Sequence, residues 1–278
     1  MDAMSFETIA AFGLEAWPLL LAAFAAGVVD SMGGGGGLIT VPALLNIGVP
    51  PLFLLGTNKT ISACGSLPAL LRYRKAKLLP NLGWKIWLSL AISCALFSAV
   101  GAYVSQYQAF LDRISLIVPF MLILVMAFMI KNWFFDERRK RRSAAVPAEA
   151  IDSPKALMAK IAGPGSFLSI GGISFYDGLL GPGTGAFFMN FLEHHGVRTL
   201  TANATTKVFN LSSNIGALIV FISMRKNLWP LGLAGAFSYA LGNYLGAGFV
   251  IKRGQNLVRA VVITVVTVLL LRYLYRIF

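Results

Sequence analysis

Asp30-Ser-Met-Gly33-Gly-Gly-Gly-Gly37-Leu-Ile-Thr-Val-Pro42 is followed, after a further apolar stretch, by Gly56-Thr57-Asn58-Lys59. Five consecutive glycines interrupt apolar sequence, and a lysine arrives about twenty residues later. The pairing returns downstream as Asp177-Gly-Leu-Leu-Gly181-Pro-Gly183-Thr-Gly185, then Thr205-Thr206-Lys207. One offset of 148 residues carries Gly33 onto Gly181, Gly37 onto Gly185, Thr57 onto Thr205 and Lys59 onto Lys207. A glycine in a helix interior costs about 1 kcal/mol relative to alanine. A lysine at the centre of a membrane-spanning helix costs about 2.5–3.5 kcal/mol. A duplicated pairing of two costly features asks for a functional reason.

The surrounding composition says where those costs apply. The 278 residues are 57% hydrophobic and 13% charged, against about 25% charged in a soluble domain. Uncharged runs extend from Ile86 to Leu111, Ile114 to Ile130, Val208 to Met224 and Asn227 to Ile251. Roughly 20 apolar residues suffice to span a bilayer, so the expected class is an all-α polytopic membrane protein. The net charge of +13 collects in short loops beside apolar segments, as membrane topology demands. There is no aromatic-interleaved basic patch that would bind nucleic acid. Cys64 and Cys94 lie in apolar stretches and read as small buried hydrophobes, not a disulfide or metal pair. Residues 1–15 carry acids and no base, unlike the start of a cleavable signal peptide.

Five apolar elements are expected in each half. The first half has Gly13–Val29, Leu38–Ile47, Thr60–Leu71, Trp84–Tyr107 and Ile114–Phe135. The second has Lys160–Tyr176, Ala186–Leu192, Ala204–Met224, Trp229–Ile251 and Leu257–Tyr275. This divides the chain into a transmembrane repeat over residues 1–135, a basic cytoplasmic linker over 136–157 and a second repeat over 158–278. The basic run Arg72 to Lys77 and the linker flank one helical hairpin, which puts both on the cytoplasmic side. An odd number of crossings per half makes the repeats inverted, each opening with a broken or re-entrant helix pair. Arg225-Lys226 and Arg272 fall on the opposite side in that scheme, which keeps a four-plus-four arrangement open.

Five glycines in a row should break a helix. Unwound backbone at membrane depth is tolerated where it is buried or lines a cavity, and the amides of Gly35, Gly36, Gly183 and Gly185 can then face an anion. Close helix packing is the alternative. A nucleotide P-loop is excluded, because no Gly-Lys-Ser/Thr follows the cluster. Lys59 and Lys207 suit a polar cavity, with snorkelling to an interface as the competing reading, since Lys59 opens its expected segment. Asp30 and Asp177 precede the two glycine clusters. They are candidate ion-pair partners of the lysines, proton-coupling carboxylates, or helix caps. Thr57, Asn58, Thr60 and Ser62 surround Lys59 with neutral polar groups, and Asn203, Thr205, Thr206, Asn210, Ser212, Ser213 and Asn214 surround Lys207. Lys207, Asn210 and Asn214 share one helical face by their three- and four-residue spacing. Interhelical hydrogen bonding would explain the same pattern. His194 and His195 follow Glu193 but have no convergent cysteine or second acidic ligand, so no metal site is expected. No catalytic constellation and no cofactor motif appears.

These residues resemble a known family. Gly27-Val-Val-Asp30 through Pro42 with Gly56-Thr-Asn-Lys59 is similar to the first half of the sulfite exporter TauE/SafE family. Phe175-Tyr-Asp177 through Gly185, with Thr201-Ala-Asn-Ala-Thr-Thr-Lys207-Val-Phe-Asn210-Leu-Ser-Ser-Asn214, is similar to its second half. The resemblance covers nearly the whole chain outside the linker, and is strongest to bacterial inner-membrane transporters. It implies a multi-pass inner-membrane exporter of sulfite, organosulfonates or similar small anions, a duplicated domain, and a central site near Thr57–Lys59 and Thr205–Lys207. The expected partners are a small anionic substrate, the lipid bilayer and a coupled proton. No nucleic acid and no particular oligomer is specified. An anion channel with the same lining, or a membrane-embedded subunit without transport activity, are the alternatives. The fifth glycine of the first cluster and the threonine inside the second make the two half-sites chemically unequal.

Overall fold

The structure is a computed structural model that describes residues 17–114, 117–128, 131, 163–253 and 267–268. The expected linker 136–157 lies outside the described residues, as does nearly all of the expected last element Leu257–Tyr275. Among the described residues every regular element is a helix. The first half runs α1 (Trp17–Asp30), α2 (Gly37–Asn46), α3 (Pro51–Gly65), α4 (Leu67–Lys75), α5 (Trp84–Val104), the short α6 (Gln108–Leu111) and α7 (Ile117–Phe128). The second half runs α8 (Pro164–Leu179), α9 (Thr184–His194), α10 (Thr199–Ser223) and α11 (Trp229–Arg253).

Helix lengths follow from the breakers. At 1.5 Å per residue, α1 with 14 residues and α2 with 10 are about 21 and 15 Å long, shorter than a hydrocarbon core of about 30 Å. The pair α8 and α9 is short for the same reason, with 16 and 11 residues. The third element differs from the expected Thr60–Leu71. Pro51 takes the first helical position, where its missing N–H costs nothing, so α3 begins nine residues earlier than expected. Pro68 then cannot continue the ladder, and the chain restarts as α4 after Ser66. The consequence is functional. Lys59 lies well inside α3 and is 1% exposed, so it does not snorkel to an interface.

Packing interlocks the two halves. The long α11 of the second half lies along α1 and α3 of the first. The long α5 of the first half lies along α8 and α10 of the second. Glycines allow both approaches: a Cβ at Gly27 would overlap the α11 backbone at Tyr239, and one at Gly178 would overlap the α5 backbone at Ser98. The distribution of polarity is the reverse of a soluble protein's. Leu88, Ile92, Leu96 and Val100 form an exposed apolar stripe along α5, and Leu233, Phe237 and Leu241 form one along α11. Asp30, Lys59, Asp177 and Lys207 are each at most 1% exposed. An apolar exterior around buried charge is the arrangement a bilayer favours. By length and hydropathy α5 and α10 can each cross one.

Candidate functional site

The site begins at the two glycine breaks. After Asp30 ends α1, the chain turns through Gly33, Gly34 and Gly35, all at positive φ, a region where a side chain is strained. Gly181 and Gly183 do the same before α9. The breaks meet each other: a Cβ on Gly34 would overlap the backbone of Gly185, and a Cβ on Gly185 would overlap that of Gly34. Among the described residues no backbone carbonyl takes the N–H groups of Gly35, Gly36, Gly183 or Gly185. These are the free amides expected at the starts of α2 and α9.

The four buried charges pair across the halves. Lys59 Nζ of α3 lies 2.8 Å from Asp177 Oδ1 of α8, and Lys207 Nζ of α10 lies 2.8 Å from Asp30 Oδ2 of α1. Each aspartate sits in the last turn of its helix, facing the negative end of the dipole. A cation is needed there, and helix capping, which takes place at the opposite end, is ruled out for both. Lys207 also donates to the main-chain carbonyl of Asp30. Asn243 Nδ2 of α11 donates to Asp30 Oδ2 at 2.9 Å, and Asn210 Nδ2 to Oδ1 at 3.4 Å. At the other pair Ser213 Oγ donates to Asp177 Oδ2 at 2.6 Å, and Lys59 donates to Asn214 Oδ1 at 2.8 Å. Asn214 Nδ2 in turn donates to Asn210 Oδ1 at 3.3 Å. A continuous chain of hydrogen bonds therefore runs from Lys59 through Asn214 and Asn210 to Asp30.

Between the pairs lies a small polar cavity. Asp30, Lys59 and Asp177 line it, with Asn58, Asn210 and Asn214, the glycines of both breaks and Tyr239. It measures about 20 Å³, room for about one water, so an oxyanion can enter only if the walls part. Asn58 Oδ1 accepts from Thr40 Oγ1 at 2.5 Å. No acceptor among the described residues takes the Asn58 NH₂ group, which leaves a neutral donor at the wall. Glycine amides, the Asn58 amide and a lysine are together the donor set that a small oxygen-rich anion needs.

Not every expected residue faces this cavity. Thr57 lies outside it; its Oγ1 accepts from the Leu228 N–H at 3.1 Å and holds the α10–α11 connection on α3. Thr205 is fully buried, lies outside the cavity and has an unpartnered hydroxyl. Lys207 does not line the wall but neutralises Asp30, which does. Ser62 and Ser213, from the polar runs around the two lysines, also reach the site, and Tyr239 and Asn243 join it without having been expected. A signal existed for these two: Tyr239 and Asn243 stand four residues apart in the uncharged run Asn227–Ile251, hence on one helical face. Cys64 corrects another expectation. It is exposed, while Cys94 is buried; both thiols are free.

A membrane protein that is helical in its described elements and has a charge-paired polar centre is the class that the fold and site define. The chain belongs to the sulfite exporter TauE/SafE family, whose sequence profile matches residues 19–273. "Probable membrane transporter protein ORF9" of Sinorhizobium sp is 35% identical over 269 residues, which is 95% of this chain and 94% of the relative. "Probable membrane transporter protein YfcA" of Escherichia coli K12 is 32% identical, covering 92% of this chain and 88% of the relative. A "Probable membrane transporter protein" of Haemophilus influenzae is 33% identical, covering 88% and 89%. No solved structure gives a significant match. The protein is a membrane transporter of the TauE/SafE type, and its relatives are named as transporters, not as enzymes.

Proposed function

We propose that the protein is a secondary transporter that exports sulfite, organosulfonates or similar small anions across the bacterial inner membrane. It is a multi-pass protein of two inverted repeats, and access alternates as one repeat rocks against the other. The observation that carries this reading is the convergence of both glycine breaks and both lysine–aspartate pairs around one small polar cavity. The equivalent order of short helix, glycine break, short helix and lysine-bearing helix in the two halves supports the repeat. Because α11 packs on α1 and α3, and α5 on α8 and α10, each moving unit carries the long helix of the other half. Glycine amides, Asn58 and Lys59 bind the anion, with Asn210 and Asn214 orienting the lysine. Because both lysines already have carboxylate partners, an anion must compete with an aspartate. That competition is the route by which a proton becomes coupled to transport.

Proteoliposomes loaded with labelled sulfite or sulfonate test the reading. Saturable uptake accelerated by unlabelled substrate on the opposite side is expected, whereas the channel alternative gives ohmic current without counterflow. Lys59→Met should reduce exchange by about tenfold or more, the loss of one charge-assisted contact of about 1.5–3 kcal/mol. Wild-type exchange in both Lys59→Met and Lys207→Met would remove the lysines from the mechanism.

A further inference from the structure

The two ion pairs are built from the same residue types, yet their neighbours differ in one chemical respect. The side chains hydrogen-bonded to the Asp30 carboxylate are the Lys207 ammonium, the Asn243 and Asn210 amides and the Tyr239 hydroxyl. Neither amide can turn around. Asn243 Oδ1 accepts from the Ala69 N–H at 3.1 Å, and its Nδ2 also donates to the Gly27 carbonyl. Asn210 Oδ1 accepts from Asn214, whose own Oδ1 is held by Lys59. A proton on Asp30 would therefore face three fixed donors beside the Tyr239 hydroxyl. Asp177 has a different second partner, the Ser213 hydroxyl. A hydroxyl donates or accepts by rotation, so Asp177 stays hydrogen-bonded in either protonation state. The wall differs as well: both members of the Lys59–Asp177 pair line the cavity, and only the aspartate of the other pair does.

The geometry points to a division of labour in which Lys59–Asp177 is the exchangeable anion site and Lys207–Asp30 is a permanent strut. This rests on the anion-transport reading above. A monoanion entering the cavity takes over the Lys59 ammonium. Asp177, released from its cation inside the protein, takes one proton from solvent and donates it to Ser213 Oγ, which rotates to accept. The charges balance: one anion and one proton enter together, the ammonium keeps its charge, and no net charge is added. The groups that face Asp177 are Lys59 on α3, Ser213 on α10, Cys94 on α5, Tyr176 on its own helix, and Tyr239 with Asp30 across the cavity. Of the two carboxylates, only Asp177 can lose its lysine to an anion in the cavity, because Lys59 lines the wall and Lys207 does not. Lys207 and Asp30 remain paired throughout and hold α10 against the end of α1.

Calorimetry on the purified full chain in detergent tests this, with methanesulfonate and isethionate as probes because neither titrates near neutral pH. Binding in buffers of different ionisation enthalpy should report uptake of about one proton per anion, and affinity should rise about tenfold per unit fall in pH. Asp177→Asn is nearly isosteric and leaves Lys59 charged. It should bind the same anions with no proton uptake and no pH dependence. Ser213→Ala should keep the stoichiometry and lower affinity several-fold. Binding without proton uptake in the wild type, or undiminished uptake in Asp177→Asn, overturns the inference while leaving the transport reading intact. If neither sulfonate nor sulfite stabilises the protein against thermal unfolding, the anion reading itself falls, and this inference with it.

Discussion

Lys59 lies between Asp177 and Asn214, whereas both of the acceptors that hold Lys207, a carboxylate and a main-chain carbonyl, belong to Asp30. The first lysine is shared between two helices of the second half. The second is bound to one residue, and that residue is further gripped by α10 and α11. An equivalent lysine–aspartate pair in each half has thus acquired a different surrounding network. The difference teaches that duplicated motifs need not duplicate roles. A buried charge is held by everything around it, and the surroundings come from parts of the chain that the motif does not contain.

The largest expected effect falls on the more tightly held pair. Lys207→Met leaves Asp30 buried without its cation, a loss of about 3–5 kcal/mol. It should show as a much lower melting temperature or a failure to recover folded protein. Lys59→Met should lose less stability, since Asp177 keeps Ser213 in either protonation state. Equal melting temperatures for the two variants would erase the comparison. Next comes the contact between the glycine breaks. Gly34→Ala places a side chain at a φ of +80° against the Gly185 backbone. Strain of about 1–2 kcal/mol and overpacking of about 1–3 kcal/mol should lower both stability and exchange rate, measured by denaturant unfolding and counterflow.

Smaller changes sharpen the contrast. Asn243→Ala strips a donor from Asp30 and leaves the Ala69 N–H unsatisfied, about 1–3 kcal/mol. Ser213→Ala removes one hydrogen bond from Asp177, about 0.5–1.5 kcal/mol. Chemical denaturation of the two side by side should rank them in that order, and the reverse order would place the rigid pair at Lys59. The smallest effect belongs to Thr57→Val, which loses the bond to the Leu228 N–H. About 1 kcal/mol of stability should go with the affinity for anions unchanged, as befits a residue outside the cavity.

Much of this site was legible before any coordinates. The glycine breaks are local events: a run of glycines fails to hold a helix whatever surrounds it, so α1 ends before the run and α2 begins at its last glycine. The importance of Lys59 and Lys207 was legible from the cost of charge in apolar sequence. The shared face of Lys207, Asn210 and Asn214 follows from helical spacing alone. Element boundaries were less legible. The start of α3 at Pro51 depended on a proline that can open a helix or end one, and the misplaced start made Lys59 look terminal.

The sequence by itself determined that charges, glycine breaks and polar side chains recur inside an apolar chain, because propensity and hydropathy act residue by residue. Only the tertiary structure decided who meets whom. Asp30 pairs with Lys207 and Asp177 with Lys59 because α1 and α3 pack against α11, and α8 and α10 against α5, in a crossed arrangement that no local pattern encodes. Tyr239 and Asn243 join the site, and Thr57 leaves it, for the same reason. A side chain's partner is set by the approach of distant helices, and that approach is governed by small residues such as Gly27 and Gly178, whose effect on packing appears only when a second helix is present.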